Sequence, residues 1–239
     1  MRSAGCTMRP EPDLALEQRL WNSGLTYVAG LDEAGRGALA GPVAVGAVVL
    51  PGASSGPAAS PSRSAGRTVR APLPRRRSGG EEVLNALHGV RDSKQMTARQ
   101  REMAAPRIQH FAAAWSVGFA SPEEIDSDGI VLAARLAALR ALEKLGIFPE
   151  YLLTDFRLEL PELDVSQTSI VRGDACCLSI AAASVLAKTA RDALMRELEL
   201  QIPGYGLATH KGYGTPGHRR ALRRIGRSPV HRKTFSMGR

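Results

Sequence analysis

The sequence predicts an α/β layer fold built around a mixed sheet. Short β-branched and apolar runs alternate with helical periodicities along most of the 239 residues, which is the pattern of sheets covered by helices. The first two strand-like segments, 27–31 and 43–50, are separated by a turn-rich loop and can pair as a hairpin. An antiparallel pair at the start favours a mixed sheet over an all-parallel one.

The elements follow in order along the chain. A short amphipathic helix is predicted over 12–23, since Gly24 ends its periodicity. The run at 43–50 is apolar without interruption, as in a strand buried on both faces. Further helices are predicted from about Thr97, from about Asp128 to Leu145, over 175–200 and in the basic C-terminal part, and further strands over 114–121, 150–156 and 167–174.

One stretch interrupts this pattern. Residues 51–80 are almost wholly Pro, Gly, Ser, Ala and Arg, a composition that cannot bury a core, so the segment is predicted to be a disordered insertion. A basic arm that holds nucleic acid electrostatically is the alternative. The predicted organisation is a catalytic part over 12–200 and a C-terminal helical part of the same domain over 201–239.

The composition narrows the class of partner. The formal charge is +9 and the pI about 10.1, which favours a polyanion such as nucleic acid. Part of this excess comes from 61–80, which holds six arginines and no acid. No apolar run approaches the length of about 18 residues that suggests a membrane span. With three cysteines and no secretory h-region, we expect a cytoplasmic protein, by default a monomer.

Four acids are predicted at strand ends. Asp32 and Glu33 follow the first strand, Asp155 ends a middle strand and Asp174 ends the next. Carboxylates that converge at one sheet edge repel unless cations lie between them, and hard oxygen ligands suit Mg²⁺ or Mn²⁺. Two such ions about 4 Å apart would stabilise the attacking and leaving oxygens of phosphoryl transfer. An isolated acid at a strand end can equally be a turn former or a helix cap.

Several motifs occur together in one order. The stretch "GLDEAGRGALAGP" resembles the opening motif of the type 2 ribonuclease H family, ribonuclease HII. It is followed by "DSK", "EID", "TDF", "RGDACCLSIAAASVLAKTARD", "HKGYGT" and "HRKTF", in the order of that family. The resemblance covers roughly 12–50 and 84–236, and it departs from the family at Ala38, Gly129 and the Arg172 of "RGD".

The resemblance implies a ribonuclease H-like fold with a C-terminal helical extension that helps to clamp a duplex. It also implies a metal-dependent endonuclease that hydrolyses the RNA strand of RNA–DNA hybrids. Such an enzyme would also cut DNA 5′ of a single embedded ribonucleotide, leaving 3′-hydroxyl and 5′-phosphate ends. The sequence leaves open a non-catalytic nucleic-acid-binding protein that kept the fold, and another nuclease of this fold such as a resolvase.

The resemblance also assigns residues. Asp32, Glu33, Asp155 and Asp174 match the metal-binding acids. Gly35, Arg36 and Gly37, together with Tyr213, match the elements that recognise the 2′-hydroxyl at an RNA–DNA junction. Phosphate contacts are also expected from Arg36, Lys94, Ser184 and Lys188, with solvated lysines and a small packing serine as the alternative. His210 and His218 could contact phosphate, but exposed loop histidines are the more common case and are expected here.

Overall fold

The computed structural model describes residues 11–52 and 80–236. Within these ranges the centre of the fold is a five-stranded sheet with the order β3-β2-β1-β4-β5. Its strands are β1 (Val28–Ala34), β2 (Val43–Val49), β3 (Ala114–Ala120), β4 (Tyr151–Asp155) and β5 (Ser166–Ile170). Strand β1 pairs antiparallel with β2 and parallel with β4, so the predicted mixed sheet is confirmed.

Seven α-helices accompany this sheet in the described ranges. They are α1 (Ala15–Asn22), α2 (Gly80–Ala86), α3 (Ala98–Phe111), α4 (Pro122–Lys144), α5 (Leu178–Gln201), α6 (Leu207–His210) and α7 (Pro216–Ile225). Thr97 and Ser121 begin α3 and α4 with capping boxes. The left-handed φ of 81° at Gly129 divides α4 into the predicted short first part and long second part. Among these helices, none is both long and apolar enough to cross a membrane.

The two faces of the sheet pack against different helices. Val28, Val48 and Leu153 pack with α5 on one face. Their strand neighbours, such as Ala29 and Leu152, pack with the alanine-rich face of α4 on the other. This division follows from the twofold alternation of side chains along a strand, and it explains why β2, which is buried along its whole length, is apolar throughout.

Glycines allow the helices to lie directly on the strands. A Cβ at Gly46 would lie 2.3 Å from the carbonyl oxygen of Ala183 in α5. A Cβ at Gly30 would lie 2.3 Å from the carbonyl carbon of Ser179 in the same helix. The separation between α5 and strands β1 and β2 is therefore set by backbone contact and not by side chains.

Two predicted boundaries at the acids are wrong. Strand β1 continues through Ala34, so Asp32 and Glu33 are its members and pair with Gly46 and Val45 of β2. Strand β5 ends at Ile170, because Arg172 takes a left-handed conformation with φ of 56° and a 3-10 turn follows over Gly173–Ala175. Asp174 therefore lies in a turn after the strand.

The predicted insertion and domain division have separate outcomes. Of the insertion at 51–80, residues 53–79 lie outside the described ranges, and Gly80 is already the first residue of α2. The C-terminal part packs on the end of α5, where Met195 contacts a cluster that includes Tyr205 and Leu222. The boundary at residue 200 stays a prediction.

The close contact between α5 and β2 generates the first prediction. Gly46→Ala should lower the free energy of unfolding by about 1–3 kcal/mol, because backbone atoms of α5 would have to move away. The matched control is Gly217→Ala in α7, where a Cβ would meet no atom closer than 3.9 Å. Urea unfolding of both variants checks this, and equal stability of Gly46→Ala and the wild type would contradict it.

Candidate active site

Three of the predicted acids meet at the end of the central strands. Asp32 and Glu33 belong to β1 and Asp155 ends the parallel neighbour β4, whose Thr154 pairs with Leu31. One carboxylate oxygen from each of the three lies within 4.8 Å of the others. This juxtaposition needs the parallel register of β1 and β4, which the sequence alone does not specify.

Asp174 lies beside this trio. The amide of Gly173 donates a hydrogen bond of 3.1 Å to Oδ1 of Asp155, which joins the 3-10 turn to the end of β4. Burial, followed by repulsion from Asp92 and Asp155, raises the pKa of Asp174 to about 6. The fourth predicted acid is thus part of the same electrostatic site.

The cluster carries negative charge that the protein compensates only in part. Burial raises the pKa of Asp32 well above its usual value, and repulsion from Glu33 adds to this effect. Burial also raises the pKa of Glu33, although Arg36 opposes the shift. Burial lowers the pKa of Lys94, but attraction to the surrounding acids outweighs burial and raises the pKa overall; in decreasing order these acids are Asp32, Asp174, Asp92 and Asp155.

The chemistry of these side chains fits a divalent cation. The donors are carboxylate oxygens, the ligands that Mg²⁺ and Mn²⁺ prefer. Glu33 Oε2 is buried and has no hydrogen-bond partner among the described residues. Such an oxygen is costly unless a cation or a donor meets it.

A cleft of about 510 Å³ opens at this edge of the sheet. Acidic and basic side chains both line this cleft. They include Asp92, Lys94, Asp155, Arg157, Arg172 and Asp174. Asp92 was not predicted as a site residue. Its side chain caps a second 3-10 turn, Ser93–Gln95, by accepting a hydrogen bond of 2.8 Å from the amide of Lys94, and the signal for it was the "DSK" motif.

The glycines of the turn after β1 differ in their surroundings. Gly35 has φ of 92°, and a Cβ there would lie 2.0 Å from Nε of Arg191. A Cβ at Gly37 would meet no atom within 4 Å. Between them, Arg36 extends its guanidinium to 3.3 Å from Oε1 of Glu33. Gly35 is therefore required by the fold, whereas Gly37 leaves open space in front of bare backbone.

Two buried arginines donate hydrogen bonds to backbone carbonyls of this turn and of the residues that follow it. Arg191 of α5 donates to the carbonyl oxygens of Ala40 and Pro42 at 3.0 and 2.8 Å. Arg232 donates to those of Gly35 and Arg36, each at 2.8 Å. Neither arginine was predicted as a site residue, although both lie in quoted motifs. Burial lowers the pKa of both guanidinium groups, that of Arg232 to about 9.

Tyr213 lies against a basic surface. Its ring centroid is 5.5 Å from Nζ of Lys188 and 5.6 Å from Cζ of Arg191, which is within the range of cation–π attraction. Tyr213 is 36% exposed, so one part of the ring remains open to solvent. Lys188 also forms an ion pair of 2.6 Å with the buried Asp192.

Ser184 differs from its predicted role as a phosphate contact. It is only 2% exposed, and its hydroxyl is hydrogen-bonded to the hydroxyl of Ser93 at 2.9 Å. Its side chain also hydrogen-bonds to Asp32 and lowers the pKa of that carboxyl, against the larger effect of burial. Helix α5 therefore places Ser184 where its side chain can hydrogen-bond to Asp32.

The site can be compared with known proteins. Residues 79–237 match the family model described as Ribonuclease HII. A ribonuclease HII of Dehalococcoides mccartyi is 44% identical over 94% of this chain and 93% of its own length. One from Chloroflexus aggregans is 46% identical over 94% of this chain and 93% of its own.

The same fold occurs among solved structures. The ribonuclease H2 of Pyrococcus horikoshii OT3 superposes with a TM-score of 0.63 at 24% identity, covering 88% of this chain and 94% of that one. The ribonuclease H-like fold implied by the motifs is therefore confirmed. The segment matched by the family model contains Asp155, Asp174 and Tyr213, and the two relatives are matched over 94% of this chain. This chain belongs to the ribonuclease HII family and is a nuclease of the ribonuclease H type.

Proposed function

We propose that the protein hydrolyses the RNA strand of RNA–DNA hybrids and incises duplex DNA 5′ of an embedded ribonucleotide. The products would carry 3′-hydroxyl and 5′-phosphate ends, and the cellular role would be removal of ribonucleotides from DNA in the cytoplasm. One observation carries this proposal. A buried carboxylate cluster adjoins a turn of bare backbone, and Arg36 of that turn contacts Glu33 of the cluster.

The acids would hold divalent cations, Mn²⁺ or Mg²⁺, with two ions in the working site. Bound ions of this kind supply charge stabilisation and an activated water in phosphodiester hydrolysis. Asp32, Glu33 and Asp155 form the preassembled part, and Asp174 adds a fourth carboxylate from its turn. Ser184 and the Gly173 amide hydrogen-bond to Asp32 and Asp155, so these two ligands are oriented before a cation arrives.

The basic residues around the cluster would bind phosphates. Lys94 lines the cleft beside Asp155 and Asp174, where it now balances their charge. Cations that occupied the acids would reduce this attraction and leave the ammonium group available for a phosphate oxygen. Arg36 and Lys188 are the other proposed phosphate contacts, each presently paired with an acid.

Recognition of the ribonucleotide would come from the Gly35–Gly37 turn and Tyr213. The 2′-hydroxyl distinguishes RNA from DNA at one nucleotide, and a backbone without side chains can approach a sugar closely. The open space at Gly37 and the partly exposed ring of Tyr213 are consistent with this role. Gly35 of the turn and the ring of Tyr213 both lie next to Arg191, so one buried side chain contacts the two elements.

Metal binding can be tested without an activity assay. MnCl₂ or MgCl₂ should raise the melting temperature of the wild type, since a cation at 100 times its Kd adds about 2.7 kcal/mol of stability. Asp32→Asn should remove this increase. In metal-free buffer the variant should melt no lower than the wild type, because one of the repelling buried carboxylates is gone. Asp164→Asn, at an exposed acid, is the control, and an unchanged metal response of Asp32→Asn would refute the assignment.

Cleavage should depend on the same acid. With Mg²⁺ or Mn²⁺, the wild type should make one cut 5′ of a single ribonucleotide in a labelled DNA duplex and none in an all-DNA control. Asp32→Asn should abolish the cut while duplex binding in a gel-shift assay is retained, since the basic surface is unchanged. Binding without cleavage by the wild type would favour the non-catalytic alternative, and cleavage of branched DNA without ribonucleotides would favour a resolvase.

The glycine turn offers a substitution that separates function from folding. Gly37→Ala should leave the melting temperature unchanged, because the added methyl group meets no protein atom. It should lower kcat/KM on the embedded ribonucleotide by roughly tenfold, a loss of ~1.4 kcal/mol, because the methyl group occupies the space proposed for the sugar. Gly217→Ala is the matched control, and full activity of Gly37→Ala would place the sugar elsewhere.

A further inference from the structure

Three histidines of the C-terminal part form a buried cluster. The rings of His210 and His218 stack with their centroids 4.2 Å apart, and Nε2 of His218 lies 3.1 Å from Nε2 of His231. His218 and His231 are 0% and 1% exposed. The expectation of an exposed loop histidine is therefore wrong for His218, and burial of polar rings requires that each nitrogen find a suitable partner.

The partners of His231 determine where its proton lies. The backbone N–H of Ser228 points at Nδ1 of His231 at 3.0 Å, and an amide can only donate. The hydroxyl of Ser228 is 2.8 Å from the same nitrogen. Nδ1 is therefore the acceptor, and neutral His231 carries its proton on Nε2, directed at His218.

The partners of His218 require the opposite tautomer. Its Nδ1 lies 3.0 Å from the carbonyl oxygen of Tyr213, and a carbonyl can only accept. Nδ1 thus carries the proton, and Nε2 accepts from His231. Donors and acceptors alternate without a mismatch from the Ser228 amide, through both rings, to the backbone of Tyr213.

An additional proton anywhere in this chain would place two N–H donors opposite each other. The surroundings agree with the neutral form, since burial lowers the pKa of His218 and lowers that of His231 to about 4. His210 is consistent as well: its Nδ1 accepts from the Gly212 amide at 3.2 Å, and its Nε2 is 2.8 Å from the carbonyl of Tyr205.

This series of hydrogen bonds ends at Tyr213, the residue proposed to recognise the sugar. The carbonyl of Tyr213 also accepts from the Thr215 amide at 2.8 Å, and the Tyr213 amide donates to the carbonyl of His210 at 3.0 Å. At the other end of this series of hydrogen bonds, His231 is followed in sequence by Arg232. Arg232 donates hydrogen bonds to the carbonyls of Gly35 and Arg36 in the Gly35–Gly37 turn. The same C-terminal segment thus contacts both proposed recognition elements.

We propose that His218 and His231 are positioning residues, which fix the backbone of Tyr213, and hence its ring, through one ordered chain of imidazole hydrogen bonds. This inference rests on the proposed role of Tyr213 at the RNA–DNA junction. The role of both histidines is indirect, because their rings are buried and the hydrogen bonds described for them go to each other, to Ser228 and to Tyr213.

The tautomers can be measured on the unmodified protein. The ¹⁵N chemical shifts of the imidazole nitrogens at pH 7 should show His218 protonated on Nδ1 only and His231 protonated on Nε2 only. A through-hydrogen-bond coupling between the two Nε2 atoms would support the chain directly. A charged ring at either position, or the reverse tautomers, would overturn the proposal without any variant having to fold.

The functional consequence is tested with substitutions of His218. His218→Ala removes the donor to Tyr213, whereas the side-chain amide of His218→Asn can still donate to that carbonyl. His218→Ala should lower kcat/KM on the embedded ribonucleotide by roughly tenfold, with a smaller loss on a long RNA–DNA hybrid, and His218→Asn should restore most of it. Equal losses for both variants on both substrates would indicate general destabilisation and overturn the proposal.

A double-mutant cycle separates this inference from the proposed function. If His218 acts through Tyr213, then adding His218→Ala to Tyr213→Ala should cause no further loss. Independent, multiplicative losses would overturn the inference alone, as would a normal His218→Ala beside a defective Tyr213→Ala. A Tyr213→Ala variant with full activity would overturn the junction assignment itself and this inference with it. His88→Asn, at an exposed histidine paired with Glu11, is the control.

Discussion

The contact of α5 with strands β1 and β2 is the constraint on which the rest of the structure depends. Gly30 and Gly46 remove the side chains that would separate the helix from the sheet, so backbone lies against backbone. The direction of α5 then determines where its polar residues lie. Ser184 lies beneath Asp32, and Arg191 lies beneath the Gly35 turn and beside Tyr213. A change in the distance between α5 and the sheet would therefore displace both Ser184, which contacts Asp32, and Arg191, which contacts the Gly35 turn and Tyr213.

The protein uses its positive charge in two different ways. Arg191 and Arg232 are fully buried, and the hydrogen bonds described for them go to backbone carbonyls. A guanidinium has five donors in a rigid plane, whereas a lysine ammonium group has three donors on a flexible stem, so an arginine can hold more carbonyls in a defined arrangement. The carboxylate cluster keeps only partial compensation from Arg36 and Lys94, so its charge remains available for cations. The two buried arginines that hold the backbone are thus separate from the carboxylates of the site, although both groups lie near the same turn.

The predictions from sequence succeeded where a pattern is local. Short β-branched and apolar runs predicted all five described strands. Gly129, with its positive φ, lies at the predicted division of α4. They failed at ends, where tertiary pairing decides. Pairing with β2 extends β1 through Ala34, and the left-handed Arg172 ends the run before Asp174. His218 was misjudged for the same reason, because glycine-rich surroundings suggest a loop and say nothing of the Tyr213 carbonyl and His231 that enclose the ring.

By itself, the sequence determined the family, the mixed α/β class and the residues that carry the chemistry, since these depend on residue types in a recognisable order. Only the tertiary structure decided which acids meet, because the parallel register of β1 and β4 brings Asp155 to Asp32, which lies 123 positions earlier in the chain and which no local pattern relates to it. It also decided that Gly35 is needed for packing and Gly37 is not, although both are glycines of one turn. The reason is physical: local propensity acts between near neighbours in the chain, whereas burial, charge and close approach act between neighbours in space.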